Sequence, residues 1–221
     1  MTPSRASGAD FGGKPILDIH DLRFSHAEAA PLAAGWSASI GAGVTLLHGD
    51  TGSGKSTLLR VLAGEVRAKG RLNLAGVSLE RQPEDYRRNV FFCDPATDAY
   101  DEATPVECTA SLTAGDVHFS QARWQACTEG FALTPHLEKR MHMLSTGSKR
   151  KVWLAAALAS GRALTLLDEP TGGLDAASTR FLWRTLAGLA ELSGRAIIVA
   201  SGARIDSVPL SGSIELPLHS T

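Results

Sequence analysis

The sequence predicts an α/β domain with a mainly parallel core sheet, and two observations predict this fold class. Short apolar runs without alternation, at 44–47, 163–167 and 196–200, are typical of strands that are covered on both faces. Segments with helical periodicity lie between such runs, and the clearest is 176–193. Because strands that alternate with helices favour parallel pairing, we expect one layered α/β unit.

The N-terminal half predicts further elements around this core. Strands are expected at 16–24, 36–40, 71–79 and 89–93, and the first of them should belong to an antiparallel β piece near the N-terminus. A glycine-rich turn follows the strand at 44–48 and leads into a helix over 56–64.

The remaining segments complete the predicted domain organisation. Prolines and glycines interrupt 95–143, which we interpret as an inserted, mostly helical lobe. A helix over 145–160 should begin at Ser145 as its N-cap. Residues 1–15 are rich in Gly, Ser and Pro and predict a flexible tail, so the folded domain is expected over 16–221.

Composition excludes several function classes. The chain of 221 residues has 22 Lys and Arg against 23 Asp and Glu, which gives no electrostatic case for nucleic acid or for direct binding to an anionic membrane. The sequence 149–151, Lys-Arg-Lys, is a local basic cluster. We expect a cytoplasmic location for three reasons. The three cysteines are widely separated, no signal peptide is recognised, and no apolar stretch is long enough to span a bilayer.

A phosphate-binding motif carries the strongest functional signal. The sequence of 49–56 matches GxxxxGK[ST], in which glycines let successive backbone N–H groups face the phosphates of a nucleotide. The predicted ATP-binding residues here are Gly49, Asp50, Thr51, Gly52, Ser53, Gly54, Lys55, Ser56 and Thr57. Lys55 supplies positive charge to the β- and γ-phosphates, and we expect that charge to be compensated by phosphate alone. The Ser56 hydroxyl can ligate Mg²⁺.

A second motif is the apolar strand at 164–167, which ends in Asp168 and Glu169. Strand ends of an open α/β sheet face the ligand crevice, so Asp168 is expected to reach a Mg²⁺ ion. Glu169 is then placed to act as the general base that polarises an attacking water. An apolar run ending in two acids is common, and only the accompanying phosphate loop favours the catalytic interpretation.

Residues 144–148, Leu-Ser-Thr-Gly-Ser, form the third motif. A serine at a helix start is an anion site or an ordinary N-cap, and both interpretations stay open from these residues alone. Together with 49–56, with Asp168 and Glu169, and with the stretch 170–175 that ends at Asp175, the sequence resembles the ATP-binding cassette (ABC) ATPases. Thr146 and Ser148 depart from that family's LSGGQ signature. The resemblance covers residues 16–216.

The resemblance implies a function and partners. It implies an ATPase subunit of an ABC transporter that hydrolyses Mg-ATP, dimerises with a second cassette and acts on a separate integral membrane subunit from the cytoplasmic side of the membrane. Ser145 and Gly147 would contact the ATP that the opposite cassette holds. The compact form is similar to the small cassettes of haem-exporter type.

Two family features are replaced in this chain. The resemblance places a glutamine that touches Mg²⁺ after the strand that enters the helical lobe, where this sequence has Asp94, which could also ligate the metal. It places a histidine after the last core strand, where this sequence has Gly202. An alternative function is therefore a degenerate module that binds ATP but hydrolyses it slowly beside an active partner. Phe24 and His26 are the candidates for the aromatic side chain that stacks on adenine.

Overall fold

The computed structural model describes residues 15–25, 31–94, 96–190 and 194–218. Its strands, in chain order, are β1 (Leu17–Ser25), β2 (Pro31–Ile40), β3 (Gly43–His48), β4 (Lys69–Leu74), β5 (Val77–Ser78), β6 (Val90–Phe92), β7 (Leu164–Asp168), β8 (Ala196–Ser201) and β9 (Leu210–Glu215). Its α-helices are α1 (Lys55–Leu62), α2 (Pro83–Arg88), α3 (Pro105–Leu112), α4 (Gln121–Gly130), α5 (Thr146–Ala159) and α6 (Ala176–Ala190).

The strands form the parallel core sheet and the antiparallel piece that the sequence predicts. The core sheet has the order β6-β7-β8-β3-β9, and all of its neighbouring strands are parallel. The second sheet has the order β2-β1-β4-β5 and is antiparallel. The predicted fold class is confirmed.

The core sheet is buried on both faces, which explains its apolar strands. Leu46 and Val199 pack on the face that carries α5 and α6. Leu47 and Ala200 pack on the other face, together with α1 and the antiparallel sheet. A strand covered on both sides cannot alternate polar with apolar residues, so β3, β7 and β8 appear in the sequence as continuous hydrophobic runs.

Parallel pairing brings the carboxyl ends of three strands to one edge of the sheet. In the register, His48 lies opposite Ser201, and Asp168 lies opposite Ala200. α1 packs against β7 and β8 from one face. The loop after β3, the residues that follow β7 and the residue that follows β8 therefore meet at this edge.

Residues 96–143 carry α3, α4 and two single-turn 3-10 helices, with no strand among the residues that the structure describes there. Thr104 and Glu107 form a capping box that begins α3, and Ser120 caps α4. Trp124 Nε1 donates a hydrogen bond of 3.1 Å to Thr109 Oγ1, which joins the two helices. Both helices pack against α5. The boundaries of a separate lobe at 95–143 stay a prediction.

Several details differ from the sequence prediction. The strand expected over 71–79 is divided into β4 and β5, because Ala75 and Gly76 both have positive φ and form a tight turn. The sequence did not predict α2, which is six residues long, or β9, an edge strand with one buried side chain, Ile214. The predicted tail at 1–15 lies outside the described residues, apart from Pro15. Within the described residues, no helix combines the length and the apolar character needed to cross a bilayer.

Candidate functional site

The loop between β3 and α1 has the backbone of a phosphate cradle. Gly52 and Gly54 have φ of 79° and 96°, a region that side-chain-bearing residues rarely adopt. A Cβ on Gly49 would lie only 2.6 Å from Ser53 Oγ, so the loop folds back closely on itself and a larger residue at 49 would require Ser53 to move. No side chain caps α1, and its first-turn N–H groups are therefore available to an anion.

Lys55 lies at the base of this cradle and is only 7% exposed. Its Nζ donates hydrogen bonds to the carbonyl oxygens of Gly49, at 2.7 Å, and Asp50, at 3.0 Å. The same atom lies 3.3 Å from Glu169 Oε1. The expectation that phosphate alone compensates this charge is therefore wrong, because the protein itself surrounds the ammonium group with three oxygens.

Asp168 and Glu169 follow at the end of β7. Glu169 has a φ of 41°, which is uncommon for a residue with a side chain and indicates a turn held by its surroundings. Its N–H donates to Ala200 O at 3.0 Å, and its Oε1 accepts a hydrogen bond of 3.0 Å from Gly202 N. The turn thus directs the carboxylate back towards Lys55.

The loop at 144–148, which resembles the LSGGQ signature, lies at the start of α5. Ser145 is the N-cap that the sequence predicts, since its Oγ accepts a hydrogen bond of 3.2 Å from Ser148 N. Ser145 Oγ also donates to Ser148 Oγ at 3.0 Å. A Cβ on Gly147 would come within 2.3 Å of Gly173 O, so glycine is required where this loop meets the segment after β7. Ser145 itself is exposed.

Asp175 ends the segment that follows β7 and directly precedes α6. Its carboxylate accepts hydrogen bonds from Ser178 N, at 2.8 Å, and Lys151 Nζ, at 2.7 Å. These donors, Lys151 first, hold the pKa of Asp175 well below its ordinary value. The end of this segment is therefore fastened to α5 by an ion pair.

Asp94 stands apart from the other predicted site residues in its contacts. Its Oδ2 pairs with Arg60 of α1, and its Oδ1 accepts a hydrogen bond of 2.9 Å from Ala96 N. Ligation of a metal by Asp94 would compete with this ion pair for the charge of the carboxylate. The metal role of Asp94 stays a prediction.

Gly202 follows β8 directly, at the position where the resemblance implies a histidine. A Cβ there would lie 3.8 Å from both Glu169 Oε1 and Gly49 O, so the position faces the phosphate loop and the acid. Of the two adenine-stacking candidates, Phe24 is 9% exposed and packs in the hydrophobic core, whereas His26 lies outside the described residues.

The residues present fit a Mg²⁺ ion that is held mainly by a bound nucleotide. In the described part of the chain, no group of three or more His, Cys, Asp or Glu side chains forms a metal cage. Mg²⁺ is typically bound by one or two protein oxygens together with phosphates and waters. Asp168 Oδ1 is buried without a hydrogen-bond partner, as is Ser53 Oγ in the loop. Orphaned oxygens of this kind suit a site whose remaining partners come with a ligand.

Sequence reasoning missed three contacts of this site. Arg60 holds Asp94, and Lys55 pairs with Glu169, although each pair is far apart in the chain. Arg150 Nη1 donates hydrogen bonds to the carbonyl oxygens of Asp168 and Glu169. The local basic cluster at 149–151 is the only sequence signal for Arg150, and it does not indicate these partners.

The fold, together with the phosphate loop at the carboxyl ends of β3, β7 and β8, defines a P-loop α/β nucleotide-binding domain. The profile of the ABC transporter family matches residues 36–172. The cytochrome c biogenesis ATP-binding export protein CcmA of Paraburkholderia xenovorans is 31% identical over 209 residues, which cover 85% of this chain and 87% of that protein. This chain belongs to the ABC transporter family as an ATP-binding cassette, within a class of ATPases that generally hydrolyse ATP.

Other relatives show how widely this cassette is used. The cobalt import ATP-binding protein CbiO of Rhodobacter capsulatus is 31% identical over 186 residues, 79% of this chain and 66% of that protein. The pyoverdine export ATP-binding/permease protein PvdT of Pseudomonas fluorescens is 30% identical over 208 residues, 86% of this chain, but the chain spans only 31% of its length. An ATP-binding protein of ABC transporter type from Pyrococcus furiosus shares the fold at 23% identity, with a TM-score of 0.73 over 93% of this chain and 99% of that chain.

Proposed function

We propose that this chain is the ATP-hydrolysing cassette of an ABC transporter, which powers a separate membrane subunit through ATP-driven dimerisation. The observation that carries the proposal is the approach of Glu169 to Lys55 across the phosphate loop, at 3.3 Å between charged atoms. The lysine begins α1 and the acid follows β7, so separate elements bring them together, and a phosphate bound in the loop would reach Lys55 beside this carboxylate.

Each residue has a role in this proposal. The N–H groups of 49–57 and the Lys55 ammonium bind the β- and γ-phosphates. Ser56 and Asp168, with Asp94 once it is released from Arg60, would hold Mg²⁺, which supplies charge neutralisation on the phosphates when it is bound. Glu169 accepts the proton of the attacking water, and its contacts with Gly202 N and Ala200 O keep its carboxylate at the loop.

A second cassette is expected to complete the site. Ser145 is exposed, and Gly147 lies beside it at the start of α5, so both can meet a ligand brought by another chain. The positive end of the α5 dipole then favours the γ-phosphate held by the opposite cassette. Relatives act in export and in import by their names, so the direction of transport for this chain is not part of the proposal.

The membrane subunit is proposed to contact the segment around Asp94 and the helices of 95–143. In this proposal the chain is a peripheral protein on the inner face of a membrane. The likeness to CcmA, a cytochrome c biogenesis export protein of which this chain covers 87%, supports the small-cassette form. No nucleic acid is expected as a partner, since the formal net charge is -1.

The alternative is a nucleotide-gated module that binds ATP and dimerises but hydrolyses slowly beside an active cassette. Gly202 favours it, because no imidazole extends from that position towards the γ-phosphate. Glu169 favours the active enzyme, because a carboxylate remains at the loop. The two functions differ in turnover and not in ATP binding.

Two measurements test the proposal together. Purified wild-type chain should release phosphate from Mg-ATP, and Lys55→Ala should abolish that activity. Affinity purification from solubilised membranes of its natural cells should recover an integral membrane protein. ATP binding without measurable turnover supports the alternative module, and absence of both binding and a membrane partner refutes both functions.

A further inference from the structure

The basic run at 149–151 is not a free surface patch, because its three side chains are committed to different partners. Lys149 pairs with Asp101, and Lys151 pairs with Asp175 at 2.7 Å. Arg150 makes no ion pair of this kind. Its Nη1 instead donates to Glu169 O at 2.7 Å and to Asp168 O at 3.2 Å.

Partial burial of the Arg150 guanidinium costs free energy. The Arg150 side chain is half-buried, and its Nε is buried without a hydrogen-bond partner. Burial lowers the pKa of the Arg150 guanidinium, and the nearby carboxylates of Asp168 and Glu169 partly oppose that shift. Burying a guanidinium costs free energy unless its donors are satisfied, and here the donors of Nη1 are satisfied by the two carbonyl groups.

The backbone that Arg150 holds is strained. Glu169 has a φ of 41°, and its carbonyl oxygen accepts from Arg150 and from Gly172 N, at 3.0 Å. A left-handed residue with a side chain persists only where its surroundings over-determine it. If the carbonyl loses its principal charged donor, the turn can relax, and the Glu169 side chain turns with it.

We propose that Arg150 is a positioning residue for hydrolysis, which fixes the left-handed turn at Glu169 and so holds the general base at the phosphate loop. The inference rests on the proposed function, because it concerns the orientation of Glu169 as the general base and attributes that orientation to a residue of α5. In this role Arg150 acts through the two carbonyl groups that its Nη1 holds, and not through the nucleotide.

Two further contacts join α5 to the same segment. Gly147 packs closely on Gly173 O, and Lys151 pairs with Asp175. Arg150 lies between these contacts and is the member of the set that reaches the catalytic turn itself. The helix that begins at Ser145 and the turn that carries Glu169 are therefore held as one unit.

The test compares Arg150→Met with Arg150→Lys. Methionine keeps the apolar stem and removes every donor, so we expect kcat to fall about 10–100-fold, with ATP affinity and KM within about twofold of wild type. Both hydrogen bonds come from a single nitrogen, so a lysine ammonium can make them as well. Arg150→Lys should therefore recover most of the lost kcat. Arg88→Met, which removes an exposed surface arginine, is the matched control and should leave kcat unchanged.

A double-mutant comparison separates positioning from general stability. If Arg150 acts through Glu169, Arg150→Met should slow the residual turnover of Glu169→Gln no further. If Arg150→Met does not fold, Arg150→Gln replaces it, since its shorter carboxamide cannot reach both carbonyls and should show the same loss of kcat.

Three results would overturn the inference: wild-type kcat in Arg150→Met, no recovery in Arg150→Lys, or losses that multiply in the double variant. If the wild-type chain hydrolyses ATP and any of these three results is found, the role of Arg150 is refuted and the proposed function stays intact. A wild-type chain without hydrolysis refutes the proposed function as an enzyme, and the role of Arg150 with it.

Discussion

Lys55 Nζ and Glu169 Oε1 lie 3.3 Å apart, so the phosphate-binding lysine and the proposed general base form an ion pair. The lysine side chain is 7% exposed and the glutamate side chain 48% exposed, so the pair joins the buried base of the loop to its solvent-facing side. A γ-phosphate that reaches Lys55 must compete with this carboxylate. The base and the phosphate therefore compete for one cation.

Lys55→Ala should greatly weaken Mg-ATP binding. Charge-assisted hydrogen bonds of this kind are each worth about 1.5–3 kcal/mol, or roughly 10–150-fold in affinity. The variant also leaves Glu169 as an unpaired negative charge beside the phosphates, which adds to the loss. Calorimetric titration with Mg-ATP measures the effect, and Lys69→Ala, an exposed lysine of β4, is the control. Unchanged affinity in Lys55→Ala would remove the phosphate-loop assignment.

Glu169→Gln should bind ATP more tightly and accumulate an ATP-dependent dimer. The substitution removes the charge that competes for Lys55, and it removes the base while the phosphate contacts remain. Light scattering should show twice the monomer mass with ATP and the monomer mass without it.

Adding Ser145→Arg to that variant should break the dimer, because a long side chain blocks the site for the opposite phosphate. Ser145 is also an N-cap, whose loss costs about 1 kcal/mol by itself. Ser120→Arg makes the same change at the N-cap of α4 and should leave the dimer intact. A constant mass with and without ATP would exclude a homodimer and require a partner cassette.

Asp94 and Arg60 should have opposite effects on the Mg²⁺ requirement. Arg60 pairs with Asp94, so Arg60→Ala frees the carboxylate and should lower the Mg²⁺ concentration that gives half-maximal hydrolysis. Asp94→Ala removes a ligand and should raise it. Titration of hydrolysis with Mg²⁺ at saturating ATP makes the comparison. If both variants keep the wild-type midpoint, Asp94 is a structural partner of Arg60 and not a metal ligand.

The parts of this molecule that sequence predicts are those that leave a local signal. β3, the phosphate loop and β7 are read from contiguous residues, because burial on both faces and the need for glycine act within a few positions. β9 escaped prediction because an edge strand needs few apolar residues, and only Ile214 is buried in it. Its position is set by pairing with β3 and not by its own composition.

The contacts between site residues, in contrast, leave no local signal in the sequence. The chemical type of Lys55, Asp168 and Glu169 is visible in the sequence, but their contacts depend on how separate strands are brought together. Arg150 shows this most clearly. Its charge predicts a solvated surface, whereas two backbone carbonyls at the end of another element hold it half-buried. A backbone acceptor has no sequence signature, so only the fold can reveal such a partner.

Gly202 should make this chain a slow ATPase when it is assayed alone. A donor aimed at the γ-phosphate stabilises charge that develops during transfer, and removal of one such donor typically slows chemistry by ~10²–10³. His48 lies close by, with its Nδ1 3.2 Å from Ser201 O. Strand alternation, however, places it on the sheet face of Leu46, opposite the face of α1. His48 is therefore not expected to replace the missing donor.

Gly202→His should raise turnover with little change in ATP affinity. The backbone of Gly202 lies outside the left-handed region, and a Cβ there meets its nearest neighbours, Glu169 Oε1 and Gly49 O, at 3.8 Å, an ordinary van der Waals distance. The position thus accepts a side chain without strain and directs it towards the loop. A contact made mainly in the transition state changes kcat more than binding, which is the pattern expected here.

Gly202→Ala is the matched control, because it adds the same Cβ without a donor and should keep wild-type turnover. In a homodimer both composite sites carry the glycine, whereas a partner cassette with its own histidine would leave one site complete. Steady-state phosphate release from the purified chain, with and without each substitution, makes the measurement. Rapid hydrolysis by the wild-type chain, or no gain from Gly202→His over Gly202→Ala, would show that another residue stabilises the γ-phosphate, and His48 would then be the first side chain to substitute.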